Sequence, residues 1–169
     1  MKIAVIGLGY VGTSISVLLA QHNEVVALDI CPERVTDINS RNSPVSDPDL
    51  EKYLLKHDLN LVATTCDDKA FDGADYVVIA TPTNFDEETG LFNTSSVEKV
   101  ISQVAANYPK ATIVVKSTIP VGFIKKMRSK YELNRIMFSP EFLREGKSLY
   151  DNLFPSRIVI GDDSPEAQT

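Results

Sequence analysis

The sequence predicts an α/β fold, a doubly wound and mainly parallel sheet with helices on both faces. Three observations carry the prediction. Short apolar runs alternate with stretches of helical periodicity, the pattern of strands joined by crossover helices. The runs over residues 3–6 and 77–80 are apolar throughout rather than alternating, as strands covered on both faces must be. The first of them empties directly into closely spaced glycines at the start of the next helical stretch, the kind of junction at which open α/β sheets bind ligands.

Taken in order, residues 1–6 form the first strand, and a helix begins near Tyr10 or Val11 with Val17, Leu18 and Leu19 following. Residues 24–30 are the second strand. Pro32 and Glu33 open a short helix over residues 31–39, with Val35 and Ile38 three apart, and residues 41–45 break it. Ser46 or Asp47 caps the next helix, Pro48 lies in its first turn, and Leu50, Leu54 and Leu55 share a face. Residues 59–65 are the third strand, 67–73 a small helix or turn, and 74–80 the fourth strand. Residues 85–92 read as an exposed acidic loop. Asn93 or Thr94 caps a helix carrying Val97, Val100, Ile101 and Val104 at core spacing. The fifth strand covers 111–116 and the sixth 135–138. After it, Ser139 as cap, Pro140 as first helical residue and Gly146 as stop predict a short helix, and residues 155–165 a further strand with a polar tail.

The 169 residues, 43% of them hydrophobic, suffice for one domain core, so residues 1–169 are read as one domain, or as part of a larger chain. A net charge of −6 and a pI near 4.9 argue against nucleic acid or an anionic membrane as the main partner. No apolar run is long enough to span a bilayer and no leader with a cleavage site precedes the first strand, so a cytoplasmic protein is expected. Cys31 and Cys66 stand in no metal-ligand spacing, and no metal is expected; His22 and His57 follow helical segments in polar surroundings and read as surface residues.

Gly7, Gly9 and Gly12 stand at the spacing G-x-G-x-x-G between strand and helix. Gly7 permits the tight turn, Gly9 lets a pyrophosphate approach the backbone, and Gly12 lets the helix pack close; the unpaired amides of the first helical turn, from Tyr10 and Val11 onward, then face the phosphates. Three glycines alone are weak evidence. Asp29, about twenty residues on at the end of the second strand, is placed to accept hydrogen bonds from a ribose, and it turns the motif into that of a Rossmann-type dinucleotide site. Its charge favours NAD over NADP, whose extra phosphate would meet a like charge. Arg34 is the exception to that argument, as an arginine can offset the repulsion, or it can simply be an exposed helix residue.

Three later turns lie at strand ends on the same side of the sheet. In the usual strand order 3-2-1-4-5-6 the fourth strand borders the first, so Thr83 or Asn84 overlooks the glycine turn, either reaching the cofactor or closing a proline turn. Thr118 after the fifth strand is either an N-cap or a group aimed into the crevice. Glu141 and Glu145, four apart on the predicted helix, can share a face as an acid/base pair, or one can favour the helix N-terminus while the other pairs with a cation.

Gly7–Gly12, Thr81-Pro82-Thr83-Asn84, Lys116-Ser117-Thr118-Ile119-Pro120-Val121-Gly122 and Ser139-Pro140-Glu141-Phe142-Leu143-Arg144-Glu145-Gly146 together resemble the UDP-glucose/GDP-mannose dehydrogenase family, its bacterial UDP-glucose-oxidising branch most closely. The one departure in the glycine stretch is Thr13, where many relatives carry leucine. Family members are more than twice as long, so the resemblance implies the N-terminal, NAD-binding portion of such an enzyme. It implies oxidation of the C6 alcohol of a UDP-sugar to a carboxylate in two NAD-dependent steps through a cysteine thioester, in an enzyme that is a homo-oligomer at full length. Val11, Asp29, Arg34, Thr83, Thr118 and Glu145 would contact NAD; Thr118 would also help hold a water. Glu141 or Glu145 would act as acid/base, and Glu141, Phe142, Leu143 and Arg144 would lie against the UDP-sugar. The nucleophilic cysteine matches neither Cys31 nor Cys66, so residues 1–169 alone are expected to bind NAD without turnover. The alternatives are a dehydrogenase of GDP-mannose or of a UDP-N-acetyl hexosamine, and a non-catalytic NAD-sensing module.

Overall fold

A computed structural model of the chain describes residues 1–56, 58–87 and 90–162. Its elements in order are β1 (Lys2–Ile6), α1 (Tyr10–Leu19), β2 (Glu24–Leu28), α2 (Pro32–Asn39), α3 (Pro48–Lys56), β3 (Leu61–Thr64), α4 (Asp67–Phe71), β4 (Tyr76–Ile79), β5 (Phe85–Asp86), β6 (Leu91–Phe92), α5 (Ser95–Asn107), β7 (Thr112–Val115), α6 (Phe123–Tyr131), β8 (Ile136–Phe138) and α7 (Ser148–Leu153). Six strands make one sheet in the order β3-β2-β1-β4-β7-β8, with every neighbouring pair parallel. This is the expected Rossmann-type order.

Each sheet face has its own core, which is why the inner strands are apolar along their middle positions on both sides. Ala4 and Ile6 of β1 with Val26 and Leu28 of β2 point to the side covered by α4, α5 and α6, where Phe71, Val97, Ile101 and Met127 are buried. Ile3, Val5, Val25 and Ala27 alternate to the other side, under Val17 of α1, Ile38 of α2, Leu50 and Leu54 of α3 and Leu149 of α7.

Asp47 joins two helices on that second face. It is fully buried; Oδ1 accepts the amides of Asp49 and Leu50 at 3.1 and 3.3 Å, capping α3, while Oδ2 accepts Ser148 Oγ at 2.7 Å and Leu149 N at 3.2 Å, capping α7. Burial pushes its carboxyl up, but the bonds from Ser148, Leu149, Leu50 and Asp49 outweigh it and hold the group below the usual carboxylate range.

Leu55 is exposed and does not share the buried face of Leu50 and Leu54 as expected, and the structure departs from expectation in four segments as well, three of them near the C-terminal side. Residues 85–92 are not simply a loop: β5 and β6 pair antiparallel, with the Phe85 and Phe92 rings 5.2 Å apart, while Glu88 and Thr89 lie outside the described residues. Residues 139–147 form no helix. The Ser139 amide extends the β7–β8 ladder to Val115 O at 2.9 Å and its hydroxyl takes Lys116 Nζ, so the capping group is already engaged elsewhere. The helix in this region is α7, further along; one of its caps comes from Asp47, about a hundred residues away, which no local pattern reveals. The strand expected over 155–165 is absent among the described residues. Only Gly161 N bonds Phe138 O, at 2.7 Å, and the segment is anchored by side chains instead, Arg157 over the Phe142 ring at 4.3 Å and Asp162 against Arg128. Residues 163–169 and His57 lie outside the described residues; His22 is exposed as expected. Among the described residues no helix is long and apolar enough to cross a membrane.

Candidate functional site

The C-terminal ends of β1, β2, β4, β7 and β8 border one crevice of about 860 Å³, a size suited to a dinucleotide-scale ligand. Its floor is the glycine turn. Gly7 takes φ +97°, and a Cβ there would lie 2.7 Å from the carbonyl oxygen of Ala80, so the turn is pressed against the end of β4. Gly12 does not line the crevice. A Cβ on it would fall 1.7 Å from the carbonyl oxygen of Gly7, so this glycine is what allows α1 to sit on the turn.

Gly9 is different in kind. A Cβ at Gly9 would meet nothing within 4 Å, so the chain itself does not need glycine there. As the N-cap of α1, Gly9 offers no side-chain acceptor and the first turn carries no acid, so the leading amides and the positive end of the helix are left to face the crevice beside Tyr10 and Val11. Open space, free donors and an uncompensated helix end fit an incoming pyrophosphate.

Asp29 is buried, 6% exposed, and so is not a solvated strand-end acid. Its Oδ2 accepts Leu8 N at 2.6 Å and Arg34 Nη1 at 3.4 Å, and its Oδ1 accepts Cys31 N at 2.8 Å. It therefore ties the glycine turn to the end of β2. A carboxylate accepts about four hydrogen bonds, so capacity is left on the crevice side for a hydroxyl. Arg34, half exposed, lines the same rim while paired to Asp29.

The strand-end turns converge as predicted, though their hydroxyls divide the work. Thr83 lines the crevice. Thr81 instead engages the scaffold: Ser96 Oγ donates to Thr81 Oγ1 at 3.1 Å and to Pro82 O at 3.0 Å. Ser117 is buried and donates to Thr81 O at 2.7 Å, fastening the end of β7 to the β4 turn. Thr118 caps nothing, since the N-cap of α6 is Gly122, and it stands exposed on the crevice wall.

Glu141 and Glu145 both line the crevice but share no helix face. Glu141 forms a charge pair with Lys116, Nζ to Oε2 3.1 Å, without the geometry of a directed hydrogen bond, and its Oε1 accepts Phe142 N at 3.2 Å. Glu145 is exposed in the turn before Gly146. Leu143 also lines the crevice, whereas Phe142 and Arg144 are engaged elsewhere, by Arg157 and Asp151. Arg144 forks onto Asp151, with Nε and Nη2 at 3.0 and 2.7 Å and its amide at 2.9 Å, which holds the Asp151 carboxyl down at about 2. Lys116, Lys99 and Gln103 line the crevice without having been singled out from sequence. The last two were legible in principle, being polar and four apart on a helix, either side of the core residues Val100 and Ile101.

Among known proteins, the family model described as UDP-glucose/GDP-mannose dehydrogenase family, NAD binding domain, matches residues 1–169. The chain belongs to the UDP-glucose/GDP-mannose dehydrogenase family. NAD is the cofactor of this family's domain, and the glycine turn, the free amides of α1 and Asp29 fit it. A UDP-glucose 6-dehydrogenase of Streptococcus pneumoniae is 50% identical over 168 residues, covering 99% of this chain and 43% of that protein. One of Campylobacter jejuni is 43% identical over 171 residues, covering 100% and 44%. The chain thus spans less than half the length of these relatives. Among solved structures, a GDP-mannose dehydrogenase of Pseudomonas aeruginosa superposes with TM-score 0.87 at 26% identity, over 99% of this chain and 42% of that one. A UDP-glucose dehydrogenase of Pyrobaculum islandicum superposes with TM-score 0.85 at 29% identity, with the same coverage. These two dehydrogenases therefore share this fold.

Proposed function

We propose that residues 1–169 are the NAD-binding domain of a longer dehydrogenase that oxidises the C6 alcohol of UDP-glucose to the carboxylate of UDP-glucuronate. One observation carries the reading: the crevice that holds the glycine turn and Asp29 also holds Thr118, Glu141 and Glu145, residues a mere nucleotide sensor has no use for. The 50% identity to a UDP-glucose 6-dehydrogenase favours UDP-glucose over GDP-mannose or a UDP-N-acetyl hexosamine.

In this reading the amides at the start of α1 bind the pyrophosphate and Asp29 the adenosine ribose, with Val11, Arg34 and Thr83 along the rim. Bound NAD supplies the hydride acceptor, twice per sugar: alcohol, two NAD⁺ and one water give carboxylate, two NADH and three protons. Thr118 orients a water at the end of β7, and a glutamate after β8 takes its proton. Glu145 lies on the cofactor side, and the backbone of residues 141–144 borders the UDP-sugar. Cys31 donates its thiol to Glu33 Oε2 at 3.0 Å and Cys66 is exposed beside α4; neither lines the crevice, which supports a nucleophilic thiolate supplied from outside this domain.

Calorimetric titration of residues 1–169 tests the reading. NAD should bind and NADP bind more weakly, while NAD with UDP-glucose should yield no NADH. Steady turnover by these residues alone would contradict the assignment of the nucleophile, and absent NAD binding would contradict the site.

A further inference from the structure

We propose that Lys116 is a positioning residue that fixes the orientation of Glu141, one of the two glutamates read above as candidates for the acid/base of this crevice. The inference rests on the dehydrogenase reading above and deepens it. Lys116 follows the four apolar or β-branched residues of β7, and its side chain is only 12% exposed. An ammonium so enclosed is expensive unless an anion accompanies it. The anion is Glu141, 17% exposed, with Nζ 3.1 Å from Oε2, and Ser139 Oγ accepts the same ammonium at 3.3 Å.

Both halves of the pair stand on fixed backbone. Lys116 N donates to Ile79 O of β4 at 2.8 Å, and Ser139 N to Val115 O of β7 at 2.9 Å, so three adjacent strands set the distance between lysine and glutamate. The two carboxylate oxygens then differ. Oε2 is shielded from solvent against the ammonium, while Oε1 accepts the Phe142 amide, so the side chain is held at both oxygens and its limited exposure does not lie at Oε2. Oε1 is left as the oxygen that meets a reacting group. Glu145, exposed in a turn, has no such frame. A proton acceptor has to be held within hydrogen-bond reach of its donor, and of the two glutamates only Glu141 is held. Lys116 acts through Glu141 and is not itself in contact with the reacting atoms.

The test uses the full natural protein that carries this domain, with NADH formation from UDP-glucose and NAD as readout and the unaltered protein as reference. Lys116→Met should lower kcat by about 100-fold, with KM for UDP-glucose and Kd for NAD changed by less than about threefold. Lys116→Arg should recover kcat to within about tenfold of the reference, as charge and reach are kept. Lys116→Met combined with Glu141→Gln should be no slower than Glu141→Gln alone, as the two act as one unit. The double variant also covers misfolding, because a neutral glutamine needs no cation beside it; thermal unfolding of all variants accompanies the assay. Lys116→Met retaining more than a third of kcat, Lys116→Arg as slow as Lys116→Met, or effects that multiply independently would each overturn the role of Lys116 alone. A reference protein that forms no NADH would overturn the dehydrogenase reading and this inference with it.

Discussion

The glycine turn after β1 and the segment after β8 border the same crevice, yet they are held by opposite means. The turn is held by backbone: Gly7 N to Leu28 O at 2.8 Å, Ala80 N to Ile6 O at 2.8 Å, Thr13 N to Gly9 O at 2.9 Å, and glycine Cα atoms pressed on carbonyls. One side chain, that of Asp29, completes it. Residues 139–147 contain no helix or strand and are held by side chains from other elements, Lys116 of the β7 end and Asp151 of α7, with α7 itself secured by Asp47 and by Asn152 Nδ2 to Ser14 Oγ at 2.7 Å. A binding platform that must present bare amides to an anion has to be made of backbone. A segment that carries a carboxylate at a set place can be made of ion pairs, and it then depends on groups remote in the chain.

The comparison can be broken first at Gly12. A Cβ at 1.7 Å from a carbonyl has only backbone to displace, so Gly12→Ala should lose more than about 4 kcal/mol of stability, read by urea denaturation, or fail to fold. The next largest effect belongs to the other region. Asp47→Ala uncaps α3 and α7 at once and leaves the Ser148 hydroxyl unpaired, a loss of about 3 kcal/mol. Because the Asp47 carboxyl is held below its ordinary 3.8, its stabilisation is complete above that value and is lost as pH falls through the lower, folded one. The gap between unaltered protein and Asp47→Asn should thus be full at neutral pH and shrink below about pH 4. Asp29→Ala should weaken NAD binding by about tenfold or more and narrow the preference over NADP, with calorimetry as the measurement. The smallest change concerns Thr13, whose buried hydroxyl has no partner among the described residues; Thr13→Val should raise stability by about 1 kcal/mol in thermal unfolding.

The same contrast explains what could be read in the sequence. The six strands of the parallel sheet, their order and the glycine turn were legible because each is coded within a few residues by apolar runs, glycines and a strand-end acid. Asp29 was found by spacing, though its buried ties to Leu8 and Cys31 were not. Residues 139–147 were misread as a helix because Ser139-Pro140 is a sound local start signal, and it lost to a lysine 23 residues earlier that engages the serine. Helix α7 escaped notice for the same reason, its cap lying in a distant loop. For Thr118 and for the placement of Glu141 and Glu145 the sequence left two readings each; that Thr118 caps no helix and stands on the crevice wall, and that the two glutamates share no helix face, depended on contacts between strands.

The central claim, that the glycine turn is shaped for a bound NAD and not only for the fold, is tested most directly at Gly9. Gly9 has an extended backbone, φ −81°, which alanine tolerates, and an added Cβ would meet nothing in the chain. Gly9→Ala should therefore keep its stability within about 1 kcal/mol of the unaltered protein while losing about tenfold or more in NAD affinity by calorimetric titration. Unchanged NAD affinity in a fully folded Gly9→Ala protein would contradict it.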